Sequence, residues 1–336
     1  MLFRSVAADN HVKMNGRRET GHEWGTNPCS EIILRPYQFC NLTEVVVRQG
    51  DDLENLRRKV RLATILGTAQ STFTNMPYLR KIWQKNTEEE RLLGVSLTGI
   101  MDNYLLSKTA DSKKWLEALK AQAIDVNRIY ADKLGVPASA AITCVKPSGT
   151  VSQLTDTASG IHARHSEYYI RTVRGDNKDP LTQFMKDSGI PAEPCVMKPD
   201  STTVFSFPTK SPSGAVTRND MTALEQLELW KNYALHWCEH KPSVTITVKD
   251  AEWMAVGAWV YENFDICSGI SFLPHSDHTY AQAPYQDIDE ETYNNLKEQM
   301  PESIDWSALS LYEKEDTTSG SQTLACTAGA CELVDI

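Results

Sequence analysis

The sequence has no apolar run long enough to cross a bilayer, and Met1–Asn10 (MLFRSVAADN) has no apolar core of a secretion leader. Both absences point to a soluble, cytoplasmic protein without a membrane partner. Basic charge is not in excess: 34 Lys and Arg stand against 44 Asp and Glu, a net charge of −10, which disfavours non-specific nucleic-acid binding. There is no Cys-x-x-Cys pair, and eight cysteines spread over 336 residues are too few for a disulfide scaffold. The histidines (His162 and His165, His236 and His240, His275) lack the number and spacing of structural zinc ligands, so no metal is expected. No internal repeat is present. With 41% hydrophobic and 23% charged residues, the chain has the composition of a folded protein.

What is there is alternation. Strand-like stretches occur at 42–48 (LTEVVVR), 94–101, 140–146, 167–174 (EYYIRTVR), 201–208 (STTVFSFP), 243–250 and 266–274. Helical periodicity fills 51–74, 111–134, 222–239 and 251–263 between them. This order predicts repeated β–α units, hence an α/β protein with a parallel sheet or barrel. Trp230, Trp237, Trp253 and Trp259 sit on the later helices at core-like spacing. The first 25 residues are polar and turn-rich and promise little core, and after Trp306 the periodicity is lost in a Gly/Ser/Thr/Ala-rich tail expected to be mobile.

Three clusters carry chemistry. The first is TNPCSEIILRPYQFCNLTEV, in which Asn27, Cys29 and Glu31 alternate and Cys40 follows eleven residues after Cys29. In an extended loop, alternate residues share a face, so these three are expected to line one pocket. A carboxylate beside a thiol raises the thiol pKa and opposes a thiolate nucleophile. The grouping suits a neutral thiol or thiyl radical working beside a carboxylate base. The second cluster is CVKPSGTVSQL, where an apolar strand meets Pro147, Ser148, Gly149, Thr150 and a helix start at Val151 and Ser152. A helix N-terminus with small and hydroxyl residues receives phosphate, but the same residues also serve as a plain helix cap, and spacing alone leaves both open. The third is Cys326 and Cys331, separated by TAGA near the C-terminus. Two thiols on such a linker can form an exchangeable disulfide, or can be a coincidence.

These stretches resemble the large chain of ribonucleotide reductases. NPCSEI is similar to that family's finger-loop motif, KPSGTVSQL to its phosphate loop, and Cys326/Cys331 to its C-terminal shuttle pair. The longer runs NPCSEIILRPYQFCNLTEVV, ASGIHARHSEYYIRTVR and SGISFLPHSDHTYAQAPYQ resemble the adenosylcobalamin-dependent (class II) branch, particularly its monomeric triphosphate reductases. The resemblance begins near Asn15 and corresponds to the C-terminal half of a reductase.

The resemblance implies the second half of a ten-stranded α/β barrel over residues 1–306, with a finger loop at about 26–41 and a redox-shuttle tail over 307–336. It implies that Cys29 becomes the thiyl radical, that Glu31 is the base on the ribose 3′-hydroxyl, and that Asn27 binds the sugar hydroxyls. Cys40 is implied to be one of two reducing thiols. Pro28 and Ser30 are implied to line the nucleotide site, with Pro147, Ser148, Gly149, Thr150, Val151 and Ser152 on its phosphates. Cys326 and Cys331 are implied to carry electrons from thioredoxin or a similar reductant. The implied cofactor is adenosylcobalamin, for which no separate binding motif stands out. The partner thiol of Cys40 and the first half of the barrel are expected on a separate N-terminal chain, split off or truncated, so that this chain alone is expected to be inactive. The alternatives are a fragment of a class I large chain, served by a radical-generating subunit, and a non-catalytic phosphate-binding α/β protein. Tyr168–Tyr169 lies in a stretch resembling the class II version, and no glycyl-radical loop is present.

Overall fold

A computed structural model describes residues 5–275, 280–314, 323–327 and 330–334, with 109–111 and the last two stretches described in backbone only. The chain divides into two compact units, Met1–Arg164 with Pro212–His275, and His165–Ser211 with Ser276–Ile336.

The first unit is built on five parallel strand segments. Asn41–Val46, Leu93–Thr98 and Thr143–Cys144 form one parallel sheet in that order. An isolated parallel bridge from Val145 to Pro242 joins it to the strand Thr245–Val248, which pairs in parallel with Ser271–Pro274. Parallel neighbours need crossovers, and helices supply them. Leu53–Gln70 and Lys81–Glu90 link the first two strands, and Thr109–Leu134 the next; Ala223–His236 precedes Thr245–Val248, and Trp253–Glu262 follows it. The sheet reads as an open half-barrel, since Asn41–Val46 and Ser271–Pro274 have no strand beyond them among the described residues.

Local chemistry sets the helix ends. The Asp52 carboxylate accepts from Asn55 N–H, and Thr222 with Glu225 forms a reciprocal capping box. Gly135 ends the long helix in the left-handed conformation, where glycine carries no Cβ penalty. Every residue of Leu93–Thr98 is buried, as expected for a parallel strand covered on both faces. One core of aliphatic side chains from Val45 to Ile270 runs through the unit and includes Trp230, Trp237 and Trp259. Trp253 is exposed instead. The indoles also do polar work: Trp230 donates to the Pro242 carbonyl at 3.0 Å and Trp237 to the Cys144 carbonyl at 2.7 Å.

Two expectations are corrected here. The first 25 residues do build core: the helix Ser5–Asn15 packs Ala8 and Val12 with Trp24 and Ile33, and Trp24 donates to Asp9 at 2.9 Å. The polar pattern concealed this because the helix buries small residues. Second, the strands at 168–176 and 202–210 do not join the parallel sheet. They form the centre of an antiparallel sheet in the second unit, in the order Tyr285–Asp287, Tyr168–Asp176, Thr202–Lys210, Ala192–Pro194. Period-two alternation is common to both sheet types, and the half-exposed pattern of these strands suits an antiparallel sheet with one wet face. Helices Pro180–Asp187 and Glu290–Gln299 belong to the same unit.

Of the expected tail, the described part begins with a short 3-10 stretch, Trp306–Leu311. The backbone of Thr323–Thr327 pairs antiparallel with Ala330–Val334, and this register sets Cys326 opposite Cys331. The side chains of both cysteines lie outside the described residues.

Candidate active site

The loop around Cys29 is a tight hairpin rather than an extended run. Gly25–Thr26 pairs antiparallel with Ile33–Leu34, Ser30 N–H donates to the Asn27 carbonyl at 2.9 Å, and Ile32 N–H donates to Asn27 Oδ1 at 3.0 Å. Asn27 thus closes the turn from both its backbone and its side chain, the usual role of Asn at a turn. Ser30 takes a φ of 67°, a left-handed conformation that a non-glycine residue holds only when its surroundings enforce it. The consequence is divergence: Cys29 is exposed at the tip, and Glu31 is fully buried.

Both legs of the hairpin are anchored. Lys241 N–H donates to the Glu31 carbonyl at 3.1 Å, and Ser243 Oγ donates to the Cys29 carbonyl at 2.7 Å. The Ile33 N–H donates to His240 Nδ1 at 3.3 Å, while His240 Nε2 donates to the Leu93 carbonyl at 2.9 Å. Burial holds His240 well below the ordinary histidine range, so the ring stays neutral, as this pair of bonds requires. Arg18 donates to the Ile33 carbonyl at 2.7 Å.

Glu31 is the electrostatic centre. Neither carboxylate oxygen accepts a hydrogen bond among the described residues. Lys146 Nζ lies 3.7 Å from Oε1. Such a buried, unpaired acceptor is rare and calls for an explanation, a ligand being one. Its charge is felt by its neighbours. Burial, and after it Glu31, pushes the half-buried Cys40 thiol far up, and Cys144 is raised likewise, chiefly by burial. Glu44 is also raised, by burial first, against the lowering effects of Ser148 and Lys146. Cys40, Cys144, Glu31, Glu44 and Lys146 therefore make one region of neutral thiols beside carboxylates.

The 146–152 segment is a turn into a one-turn helix, Val151–Leu154. Ser148 has a φ of 55° and is buried, whereas Gly149 and Thr150 are exposed. The Ser159 hydroxyl reaches the Pro147 and Ser148 carbonyls at 2.8 and 3.1 Å, and Ser152 Oγ reaches Ser159 Oγ at 3.2 Å. Gly160, with a φ of 57°, lets this turn close against the Lys146 carbonyl.

The structure thus puts Asn27, Pro28, Cys29, Ser30 and Glu31 on one hairpin, with Cys40 entering the first strand of the half-barrel. It adds Glu44, Cys144, Lys146 and Lys241, which the motifs did not single out. Lys241 follows the HWCEH stretch, where attention fell on the histidines. His162 is a structural residue, bonded to the Ser159 carbonyl and to Thr245 N–H at 3.0 Å each. No group of three or more metal-ligating side chains occurs among the described residues.

The parallel half-barrel with its inserted hairpin has the fold of a solved ribonucleotide reductase. The solved class II, B12-dependent ribonucleotide reductase superposes with a TM-score of 0.75 at 26% identity, over 89% of this chain and 45% of that one. The chain is a relative of the adenosylcobalamin-dependent ribonucleoside-triphosphate reductases. It is 28% identical to the Euglena gracilis enzyme, over 95% of this chain and 44% of that protein. The same identity holds to the Lactobacillus leichmannii enzyme, over 92% and 45%, and to a probable reductase of this kind from Dictyostelium discoideum, over 92% and 40%. The chain therefore spans less than half the length of these relatives. The alpha subunit of the Actinobacillus ureae class Id reductase, at 13% identity and a TM-score of 0.52 over 81% of this chain and 57% of that one, shares the fold alone. No family model matches the chain.

Proposed function

We propose that the chain is the C-terminal catalytic part of an adenosylcobalamin-dependent ribonucleoside-triphosphate reductase. In this reading the parallel strands within residues 1–306 are half of the catalytic barrel, those at 168–176 and 202–210 lying outside it, and 307–336 is the redox tail. The observation that carries it is the pairing of an exposed Cys29 with a fully buried Glu31 carboxylate two residues on, which accepts no hydrogen bond among the described residues. A thiol at the tip and a carboxylate two residues on suit removal of a hydrogen atom from one substrate carbon and of a proton from the hydroxyl on that carbon.

The residues present fit the cofactor in one respect: the Cys29 thiol projects from the tip, open to a group approaching from outside the hairpin. When bound, adenosylcobalamin supplies a carbon-centred radical by Co–C homolysis. The chain's own residues then act in turn. Cys29 gives up its thiol hydrogen atom, and the thiyl takes the ribose 3′-hydrogen. Glu31, with Lys146 Nζ 3.7 Å from its Oε1, takes the 3′-hydroxyl proton. The 2′-hydroxyl takes a thiol proton and leaves as water, and Cys40 with a thiol from the N-terminal half of the reductase supplies two electrons and becomes a disulfide. Cys29 returns the hydrogen atom to C3′, which restores the thiyl. Asn27 orients the sugar, Pro28 and Ser30 frame it, and Pro147, Ser148, Gly149, Thr150, Val151 and Ser152 receive the phosphates. Cys326 and Cys331 return electrons from a thioredoxin-like reductant. A cytoplasmic enzyme supplying deoxynucleotides fits this chemistry.

The chain should be assayed with an added N-terminal half of a class II reductase, adenosylcobalamin, dithiothreitol and ribonucleoside triphosphates. Deoxynucleotide should form with both halves and cobalamin present, and not with this chain alone. Turnover that ignores cobalamin would point to a class I fragment. Turnover surviving Cys29→Ser would end the radical assignment.

A further inference from the structure

Beneath the hairpin tip lies a lysine that the reaction just described needs only as a distant charge. Lys241 is 1% exposed, and its Nζ donates to Ser30 Oγ at 2.8 Å and to the Ser268 carbonyl at 3.1 Å. The ammonium passes over Gly269, where a methyl group would overlap Nζ and crowd Ser30 Oγ. Three positions from separate parts of the chain are thus fitted to one buried cation. Ser30, the residue it grips, is also the strained one, with its φ of 67°. Glu31 is attached to the same lysine through the backbone. A buried ammonium is costly to keep, so its presence needs a reason.

We propose that Lys241 is the positioning residue of the loop: its ammonium, seated over Gly269, holds Ser30 left-handed, so that Cys29 points outward and Glu31 inward. The divergence of thiol and carboxylate is set by this lysine and not by the hairpin strands, which are two residues each. The groups facing it are few. Glu31 favours its charge, while burial drives its pKa down to about 7, and its charge is felt by the buried His11. Lys146, on the far side, reaches Glu31 rather than Lys241. Near neutral pH the grip therefore changes from ammonium to amine.

The test uses the whole chain and reads the loop rather than turnover, so it can fail while the reductase reading stands, and the reverse. Hydrogen exchange of 27–33 and the rate of Cys29 alkylation by iodoacetamide are followed by mass spectrometry. Lys241→Met should speed exchange in 27–33 at least about tenfold and change the alkylation rate several-fold. Gly269→Ala should reproduce both effects by displacing Nζ. Ser30→Gly, placed in the Lys241→Met background, should restore slow exchange, because glycine adopts the left-handed turn without help. In the unmodified chain, alkylation corrected for thiolate fraction should show an inflection near pH 7, absent from Lys241→Met. The proposal is overturned if Lys241→Met leaves exchange in 27–33 unchanged, or if Ser30→Gly gives no rescue. Should Lys241→Met fail to fold, Gly269→Ala and the inflection in the unmodified chain decide alone, and absence of both overturns it.

Discussion

Arg18 is closed on Glu90 by two hydrogen bonds of 2.8 and 2.7 Å, both side chains buried, and the same guanidinium holds the Ile33 carbonyl at the base of the hairpin. Gln38 completes the group, accepting from Arg18 at 3.0 Å and donating to Glu90. Although burial pushes Glu90 up, Arg18 and Gln38 outweigh it, and the carboxyl sits below its usual range.

Arg18→Ala leaves the buried Glu90 carboxylate with Gln38 and with Arg35, 3.4 Å away, but without its bidentate partner, and it frees the second leg of the loop. Removing one partner of a buried pair costs on the order of 3–5 kcal/mol. The denaturation midpoint of the chain should fall accordingly, and a midpoint matching the parent would show that Glu90 finds another partner.

Glu31→Gln should behave in the opposite way for stability. Its carboxylate is buried without a hydrogen bond, so removing the charge should leave the midpoint level or raised. Activity of the assembled reductase should drop by roughly 10²–10⁴, the usual worth of a general base. A variant retaining full turnover would remove Glu31 from the mechanism.

Acid should unfold the chain through its buried histidines. His11 donates from Nε2 to the Cys238 carbonyl at 3.0 Å, and burial lowers its pKa from 6.5 to about 4. The folded pKa is depressed, so the unfolded chain takes up the proton first as pH falls. The stabilisation is complete above 6.5 and is lost progressively down to about 4, a change of about 3 kcal/mol. Denaturant titrations at stepped pH should show this slope, and His11→Gln should flatten it.

Gly160→Ala tests the proposed phosphate turn. The left-handed φ and the Lys146 carbonyl both oppose a methyl group there. The change should cost about 1–3 kcal/mol and reduce the thermal protection given by a nucleoside triphosphate. Undiminished protection would place the phosphates elsewhere.

The parallel strands and their helices were legible because Leu93–Thr98 and Asn41–Val46 are apolar or alternating runs bounded by strong caps such as Asp52 and Thr222. The candidate site residues stand out in the sequence as a motif, but their geometry does not. Alternation at Asn27, Cys29 and Glu31 suggests equal exposure on one shared face, whereas the turn closed by Asn27 and the left-handed Ser30 leaves Cys29 exposed and Glu31 buried. Lys241 was hidden because a lone lysine between His240 and Pro242 looks like a surface residue. Only the folded chain brings Ser30, more than two hundred positions away in sequence, onto its ammonium. Arg17 and Arg18 were read as a polar turn for the same reason: their partners Glu239 and Glu90 are distant in sequence.

The half-barrel's two rims have a consequence for handling the protein. Asn41–Val46 and Ser271–Pro274 each leave one row of peptide groups unclaimed by any described strand, and such rows accept whatever extended backbone arrives first. Synthesised without a complement, copies of the chain should zip to one another, with losses that grow steeply with concentration. Covered by a matching strand, the same rims would no longer be open to self-association, so yield should depend on which pairing forms first.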